Sequence, residues 1–275
     1  LPFNLFLKNR QYQLYGEIGY NRYTYYFYGV GNNMPPAYEE KYGVEFPRLR
    51  LTALRKIKGP FFAGVRYAFD RFSLFDLAEG GELSSGRVPG SSGGTVSGLG
   101  VVFLADTRDY IFYPSRGLWS ELVIYRDSPL TGSSFNYTRI AFDFSKYWSI
   151  TKNDIIALNL YSLYANTDLP FFQMGLLGGA RKMRGFYEGR YRDNNVALVQ
   201  LEYRRHLFWL LGATVFGSAG QVAGRYHLFH HSNWRYTYGG GLRLMADKSQ
   251  RVNLRVDLAI GNGQLLTYFT IGEAF

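Results

Sequence analysis

Few residues in this chain could do covalent or metal chemistry. Its 275 residues include four histidines and no cysteine. Thiolate nucleophiles, thiolate metal sites and disulfide frameworks are therefore all excluded. His227, His230 and His231 crowd beside Tyr226 and Trp234, but a metal centre needs further ligands in a geometry that a loop does not guarantee. His206 reads as a wet histidine at a strand end. No metal site and no cofactor is expected. A Gly-x-Ser-x-Gly elbow, a phosphate loop and a His-Glu-x-x-His pair are all missing from the sequence. Ser, His and Asp or Asn meeting at a barrel rim would make a hydrolase, yet no spacing nominates such a set, and the chain reads as a non-enzyme. The Gly- and Ser-rich stretch from Gly80 to Gly94 reads as a flexible outer loop, with no helix behind it to offer a phosphate a dipole.

What the sequence does supply is arginine at alternate positions. In Arg251-Val252-Asn253-Leu254-Arg255-Val256-Asp257-Leu258 one face is apolar and the other charged, the pattern of a strand with side chains on opposite faces. The pattern returns in Ala197 to His206, Trp234 to Leu244, Arg139 to Ser145 and Arg48 to Ala53. Net charge is +10, but the cations are spread singly rather than gathered in an arm or patch, so nucleic acid is not an expected partner. The inward cations Arg48, Arg50, Arg139, Arg204, Arg235, Arg243, Arg251 and Arg255 outnumber the inward acids. They describe either a lumen tuned toward anions or a solvated polar interior, and the second is favoured.

The elements that must position these residues follow from length and punctuation. Hydrophobic residues make up 47% and aromatics 18%, with 32 glycines; this is too apolar for a disordered chain, and no apolar run approaches the ~18–20 residues of a spanning helix. Fourteen segments can be counted, at about 1–9, 11–20, 23–30, 44–57, 60–73, 94–106, 117–127, 134–148, 153–165, 195–206, 210–222, 234–246, 251–261 and 265–275. Most are ~10 residues or longer, enough to cross a bilayer and longer than the strands of globular proteins. Tight turns alternate with long loops, and aromatics such as Tyr25-Tyr26-Phe27-Tyr28, Trp119, Tyr147-Trp148, Trp209 and Trp234 gather at segment ends as an interfacial girdle would. The predicted fold is all-β: a transmembrane antiparallel β-barrel of fourteen strands, a single domain over 1–275, with both termini on the periplasmic side. The chain opens on Leu1-Pro2-Phe3 without a basic leader.

The glycines and arginines add a specific resemblance. Gly178-Gly179-Ala180-Arg181-Lys182-Met183-Arg184-Gly185-Phe186 resembles the hallmark loop of the BamA/TamA outer-membrane assembly family, the bacterial surface antigen family. Asp106-Thr107-Arg108-Asp109 with Tyr113-Pro114-Ser115-Arg116-Gly117 resembles a periplasmic turn of that barrel. Tyr28-Gly29-Val30-Gly31-Asn32-Asn33 is similar to an upstream loop, and Leu201-Glu202-Tyr203-Arg204 follows the hallmark loop as in the family. The ending from Phe269 through Ile271 and Gly272 to Phe275 resembles the family's terminal strand, which closes on an aromatic residue.

The resemblance implies a loop over about 169–194 folded into the lumen, with Met183, Arg184, Gly185 and Phe186 at its tip. It also implies a role in inserting or translocating outer-membrane proteins without covalent chemistry, in the bacterial outer membrane. The partners would be client outer-membrane proteins or a periplasmic protein, and outer-membrane lipid including lipopolysaccharide. The runner-up is a pore, or a membrane anchor for another domain or subunit.

Two departures qualify the resemblance. Where the family carries an acid facing the loop arginine, this chain has Ser218, in Phe216-Gly217-Ser218-Ala219-Gly220. A lumenal guanidinium still needs a carboxylate, so Arg184 is expected near Glu202, or Asp257, rather than on Ser218. The family barrel has sixteen strands and is usually preceded by POTRA modules; fourteen are counted here, and no such module is seen. Glu273 interrupts the apolar alternation of the ending, and pairing of the last strand with the first is expected to be weak.

Overall fold

The computed structural model describes residues 1–35 and 37–275. Fifteen strands follow in chain order: β1 (Pro2–Leu7), β2 (Tyr12–Phe27), β3 (Glu40–Lys58), β4 (Phe61–Phe75), β5 (Gly94–Asp106), β6 (Gly117–Asp127), β7 (Tyr137–Ser149), β8 (Asp154–Ala165), β9 (Gly175–Leu177), β10 (Tyr191–Asp193), β11 (Asn195–Phe208), β12 (Leu211–Ala223), β13 (Arg235–Asp247), β14 (Val252–Gly261) and β15 (Gln264–Ile271). Thirteen of them pair with their neighbours, all antiparallel, in one transmembrane β-barrel sheet; β9 and β10 form a small separate hairpin inside the long loop between β8 and β11. β1 and β15 are the outermost strands and are not paired with each other among the described residues.

The count of fourteen is corrected here. The segments 11–20 and 23–30 are one strand, because Asn21 and Arg22 interrupt only the apolar pattern. The β2–β3 ladder runs unbroken from Tyr12↔Arg55 to Phe27↔Glu40; backbone hydrogen bonds do not depend on which side chain they carry. With thirteen strands in the sheet, the two ends of the chain are not level. Pro2 lies opposite Glu17, partway up β2, whereas β15 ends beside Leu254, near the start of β14.

The alternation sorts side chains as barrel geometry requires. Lipid-facing Ile18, Val65, Leu201, Val215 and Phe269 are exposed, whereas Thr52, Asp70, Gln200, Glu202, Thr214 and Asp257 are buried inside. Two-residue and four-residue turns at one rim face longer loops at the other. The ten-residue turn after β5 and the tight hairpin at Asn262-Gly263 depart from that rule.

At the long-loop rim the mouth is plugged by apolar packing. Phe27, Tyr42, Phe46, Phe72, Leu83, Val88, Leu169 and Phe171 form one buried cluster. The Gly- and Ser-rich stretch therefore does not hang free: Leu83 and Val88 anchor it, and Glu40 accepts the amides of Glu82 at 2.5 Å and Leu83 at 3.2 Å. The loop after β2 reaches across as well. Gly31 donates its amide to the Arg192 carbonyl at 2.8 Å, and the Asn32 side chain clasps both backbone groups of Val222.

Candidate functional site: a loop arginine gripped by the barrel wall

Residues 166–194 turn inward between β8 and β11 and carry the Met183 to Phe186 segment into the lumen. The backbone there is shaped by glycine. Gly185 has φ +112°, and a Cβ on it would stand 3.0 Å from the Ile260 backbone and from Thr237, so only glycine lets the loop lie this close to β13 and β14. Gly178 and Gly179 close the loop on itself, donating to the carbonyls of Lys182 at 2.7 Å and Phe186 at 2.9 Å. Phe186 packs edge-on against Tyr191 at 5.1 Å, among Leu163, Leu177, Met183, Val196 and Leu198.

The Arg184 guanidinium is wholly buried. It donates to Asp257 at 2.6 Å and to Glu202, and it lies 3.5 Å above the Phe216 ring. Ser218, where the family carries its acid, donates instead to Gln200 at 3.4 Å. Gln200 also accepts the Met183 amide at 3.0 Å and donates to the Arg181 carbonyl at 3.0 Å.

Around this pair the inward arginines of three strands converge. Arg204 binds Glu202 at 2.7 Å, Arg243 binds Asp257 at 2.6 Å, and Arg255 reaches Asp257 at 3.5 Å while donating to the Ala180 carbonyl at 2.8 Å. Arg243 and Arg255 are direct cross-strand partners, a like-charge pairing that sheets avoid. Asp257 between them makes it tenable. Gly241, opposite Asp257, leaves the room: a Cβ there would fall 2.0 Å from the carboxylate.

Two further groups of this site were not identified from the sequence. Tyr268 on β15 accepts the Gly185 amide at 2.9 Å and donates to the Phe186 carbonyl at 2.8 Å, tying the loop to the outermost strand. Glu273 binds Arg243 and Asn253, each at 2.9 Å, as the third acid of the cluster. The surplus of inward arginines over acids was the available signal. Glu273 seemed to spoil the terminal strand, but it does not belong to that strand. β15 stops at Ile271, Gly272 turns at φ +81°, and the last residues fold inward, where the Phe275 ring lies 5.4 Å from the Arg204 guanidinium. The expected terminal strand running to Phe275 is corrected accordingly; Phe269 and Ile271 remain lipid-facing on β15.

The turn after β5 is a second built feature. Asp106 receives two bonds from the Arg108 guanidinium, at 2.8 and 3.0 Å. Asp109 accepts the amides of Tyr110, Ser115 and Arg116 together with the Ser115 hydroxyl. Partial burial pushes the Asp109 carboxyl up, but these four hydrogen bonds outweigh it and hold the group below the usual aspartate value. Pro114 is buried, and Gly117, at φ +98°, sits where a Cβ would strike the Thr107 carbonyl at 2.2 Å.

Among the described residues no group of three or more His, Cys, Asp or Glu is disposed to hold a metal ion. His227, His230 and His231 lie in the loop between β12 and β13, where the His230 ring meets the Ser232 hydroxyl at 2.8 Å, and His206 stands near the end of β11.

Comparison with solved structures places this architecture. BamA from Haemophilus ducreyi, in a form lacking POTRA domains 1–3, aligns over 98% of this chain with a TM-score of 0.67 and 14% identity. CdiB from Acinetobacter baumannii aligns over 95% with a TM-score of 0.62 and 18% identity, and CdiB from Escherichia coli over 95% with 0.63 and 12%. At these identities the likeness is one of fold. This chain spans 61% of the BamA chain and 47% and 49% of the two CdiB chains. The search of curated proteins gave no match. The Omp85 superfamily domain matches residues 91–275, from before β5 through the arginine cluster to the last residue, and the chain belongs to the Omp85 superfamily.

Proposed function

We propose that this chain is the membrane barrel of a machine in the bacterial outer membrane that assists insertion or translocation of outer-membrane proteins, working by binding and strand exchange without covalent chemistry. The observation that carries this reading is the attachment of the inward loop to an edge of the sheet: Asp257 on β14 holds Arg184, and Tyr268 on β15 holds Gly185 and Phe186. β15 is outermost in the sheet and presents backbone groups of the kind that an arriving strand can pair with. The loop then governs both the lumen and that edge. Its partners are client barrels or a periplasmic protein, and outer-membrane lipid including lipopolysaccharide; nucleic acid is not among them.

The test is planar-bilayer conductance of the purified barrel beside Arg184→Ala, together with assembly of a client barrel in liposomes. A small wild-type current that rises in the variant, with assembly activity in the wild type, supports the reading. A large steady current unchanged by the substitution, with no client assembled, makes the protein a pore or an anchor.

A further inference from the structure

The turn after β5 is the long exception at the short-turn rim, and its path accounts for its length. The Arg251 guanidinium, just before β14, lies 3.8 Å over the Tyr110 ring. Ser149, at the end of β7, donates its hydroxyl to the Ser115 carbonyl at 2.9 Å. The Tyr113 ring lies 5.9 Å from the Arg204 guanidinium on β11. The turn therefore crosses beneath the mouth of the lumen instead of returning directly from β5 to β6. Between it and the wall from β7 to β14 stands a cavity of about 1070 Å³.

This cavity offers cations without counter-charges. Arg116, Lys152 and Arg251 line it, and among the described residues no carboxylate lies within ion-pair distance of any of the three. The acids of the surrounding turns are already engaged. Asp106 is held by Arg108, and Asp109 by three amides and a hydroxyl. Asp154 accepts from Thr151 and Tyr203 and pairs with Arg205 at 3.5 Å, while Asp247 accepts the amides of Ser249 and Gln250. Ile155 and Met245 add an apolar floor. They stand opposite Arg204 and Asn253, both lumen-facing, so the cavity lies inside the mouth and away from lipid headgroups.

We propose that this cavity is a docking site for an acidic, partly apolar peptide segment of a periplasmic protein, with Arg116, Lys152 and Arg251 meeting its carboxylates. The inference rests on the outer-membrane reading above, which puts this rim in the periplasm, and adds the partner's chemistry to it. A concave site lined by one sign of free charge draws the opposite sign. Its volume matches the upper end of sites that enclose a drug-sized ligand, far more than an inorganic anion fills. The aliphatic floor and the Tyr110 and Tyr113 rings give side chains between the carboxylates somewhere to pack.

The experiment uses the full chain in phosphatidylcholine nanodiscs, with empty nanodiscs as the blank. It follows the fluorescence anisotropy of a labelled peptide alternating Glu with Leu, beside the matching Gln–Leu peptide. The Glu peptide should bind and the Gln peptide should not. Arg116→Gln/Lys152→Gln/Arg251→Gln should weaken binding about thirtyfold, the sum of three partly exposed ion pairs. Lys8→Gln/Arg10→Gln/Lys58→Gln removes as many charges from exposed positions outside the cavity and should leave the affinity within about twofold. No binding, equal binding of the two peptides, equal loss in the two triple variants, or displacement by inorganic phosphate at matched ionic strength would each overturn the site. Heat-modifiable migration on gels and client assembly are read on the same preparations. A chain that is not a folded membrane barrel, or that assembles no client, is thereby told apart from one that lacks the site.

Discussion

The barrel interior holds two sets of arginine–carboxylate pairs built from the same alternating pattern, and they differ in what covers them. On β11, β13 and β14, with Arg184 from the loop, the charged side chains of the cluster are at most 3% exposed. On β2 to β6, Arg48 and Arg50 share Asp70 at 2.8 and 2.9 Å, and Arg66 holds Glu121 at 3.0 Å, with arginines 19–42% exposed. The second set borders a lumen cavity of about 670 Å³ lined by Tyr15, Arg66, Asp70 and Tyr125. The strands are equivalent, and the inward loop supplies the difference: it presses on one wall and leaves the other wet. A buried cluster must be nearly complete, because an orphaned charge there cannot turn to water; a wet pair can lose a member cheaply.

The sharpest way to break the comparison is to remove Asp257, which serves three arginines. Asp257→Asn should cost about 3–5 kcal/mol of barrel stability, read as a lower urea midpoint for loss of heat-modifiable migration. A cost near that of an exposed pair would mean that water reaches the cluster. Arg184→Met should cost less than Asp257→Asn, because the cluster then keeps Arg204, Arg243 and Arg255 against Glu202, Asp257 and Glu273. Its main effect should be protease cleavage between residues 178 and 190, where the wild type resists.

Smaller effects probe the loop backbone and the wet wall. Gly185→Ala strains a φ of +112° and crowds Ile260, at about 1–3 kcal/mol; faster amide exchange at 183–186 would register it, and unchanged exchange would show that the loop can back away. Glu121→Gln on the wet wall should cost about 1 kcal/mol or less, read from the same urea midpoint. A loss as large as that of Asp257→Asn would erase the distinction between the walls.

The smallest effect lies outside the membrane, in the turn after β5. Asp109 has a folded value below its unfolded one, near 3.9, so its bonds are fully present above about pH 5 and are lost as pH falls through the lower folded value. Relative to their intrinsic rates, the Ser115 and Arg116 amides should lose exchange protection on acidification below that point. In Asp109→Asn the protection should be weak already at neutral pH and should not follow this titration.

Much of this was legible in the chain. Period-two alternation over segments long enough to cross a bilayer set which residues face lipid and which face the lumen, because a strand has only two faces. It therefore placed Glu202, Arg204, Arg243, Arg255 and Asp257 inside before any coordinates, and the glycines around Arg184 marked a loop of unusual backbone. Alternation also misled, at Asn21-Arg22, where a polar pair looked like a strand end, and at Glu273, where an acid looked like a flaw in a strand that had already ended.

What the sequence by itself determined is thus the architecture and the facing of each side chain, since both follow from local periodicity. What only the tertiary structure decided is which charges meet. Asp257 could have served any inward arginine; beside its same-strand neighbour Arg255 it serves Arg243, which strand register brings across from β13, and Arg184, which the inward loop brings from seventy-three positions away. Partner choice among like residues depends on register, loop path and the exclusion of water, and none of these is a local property of the chain.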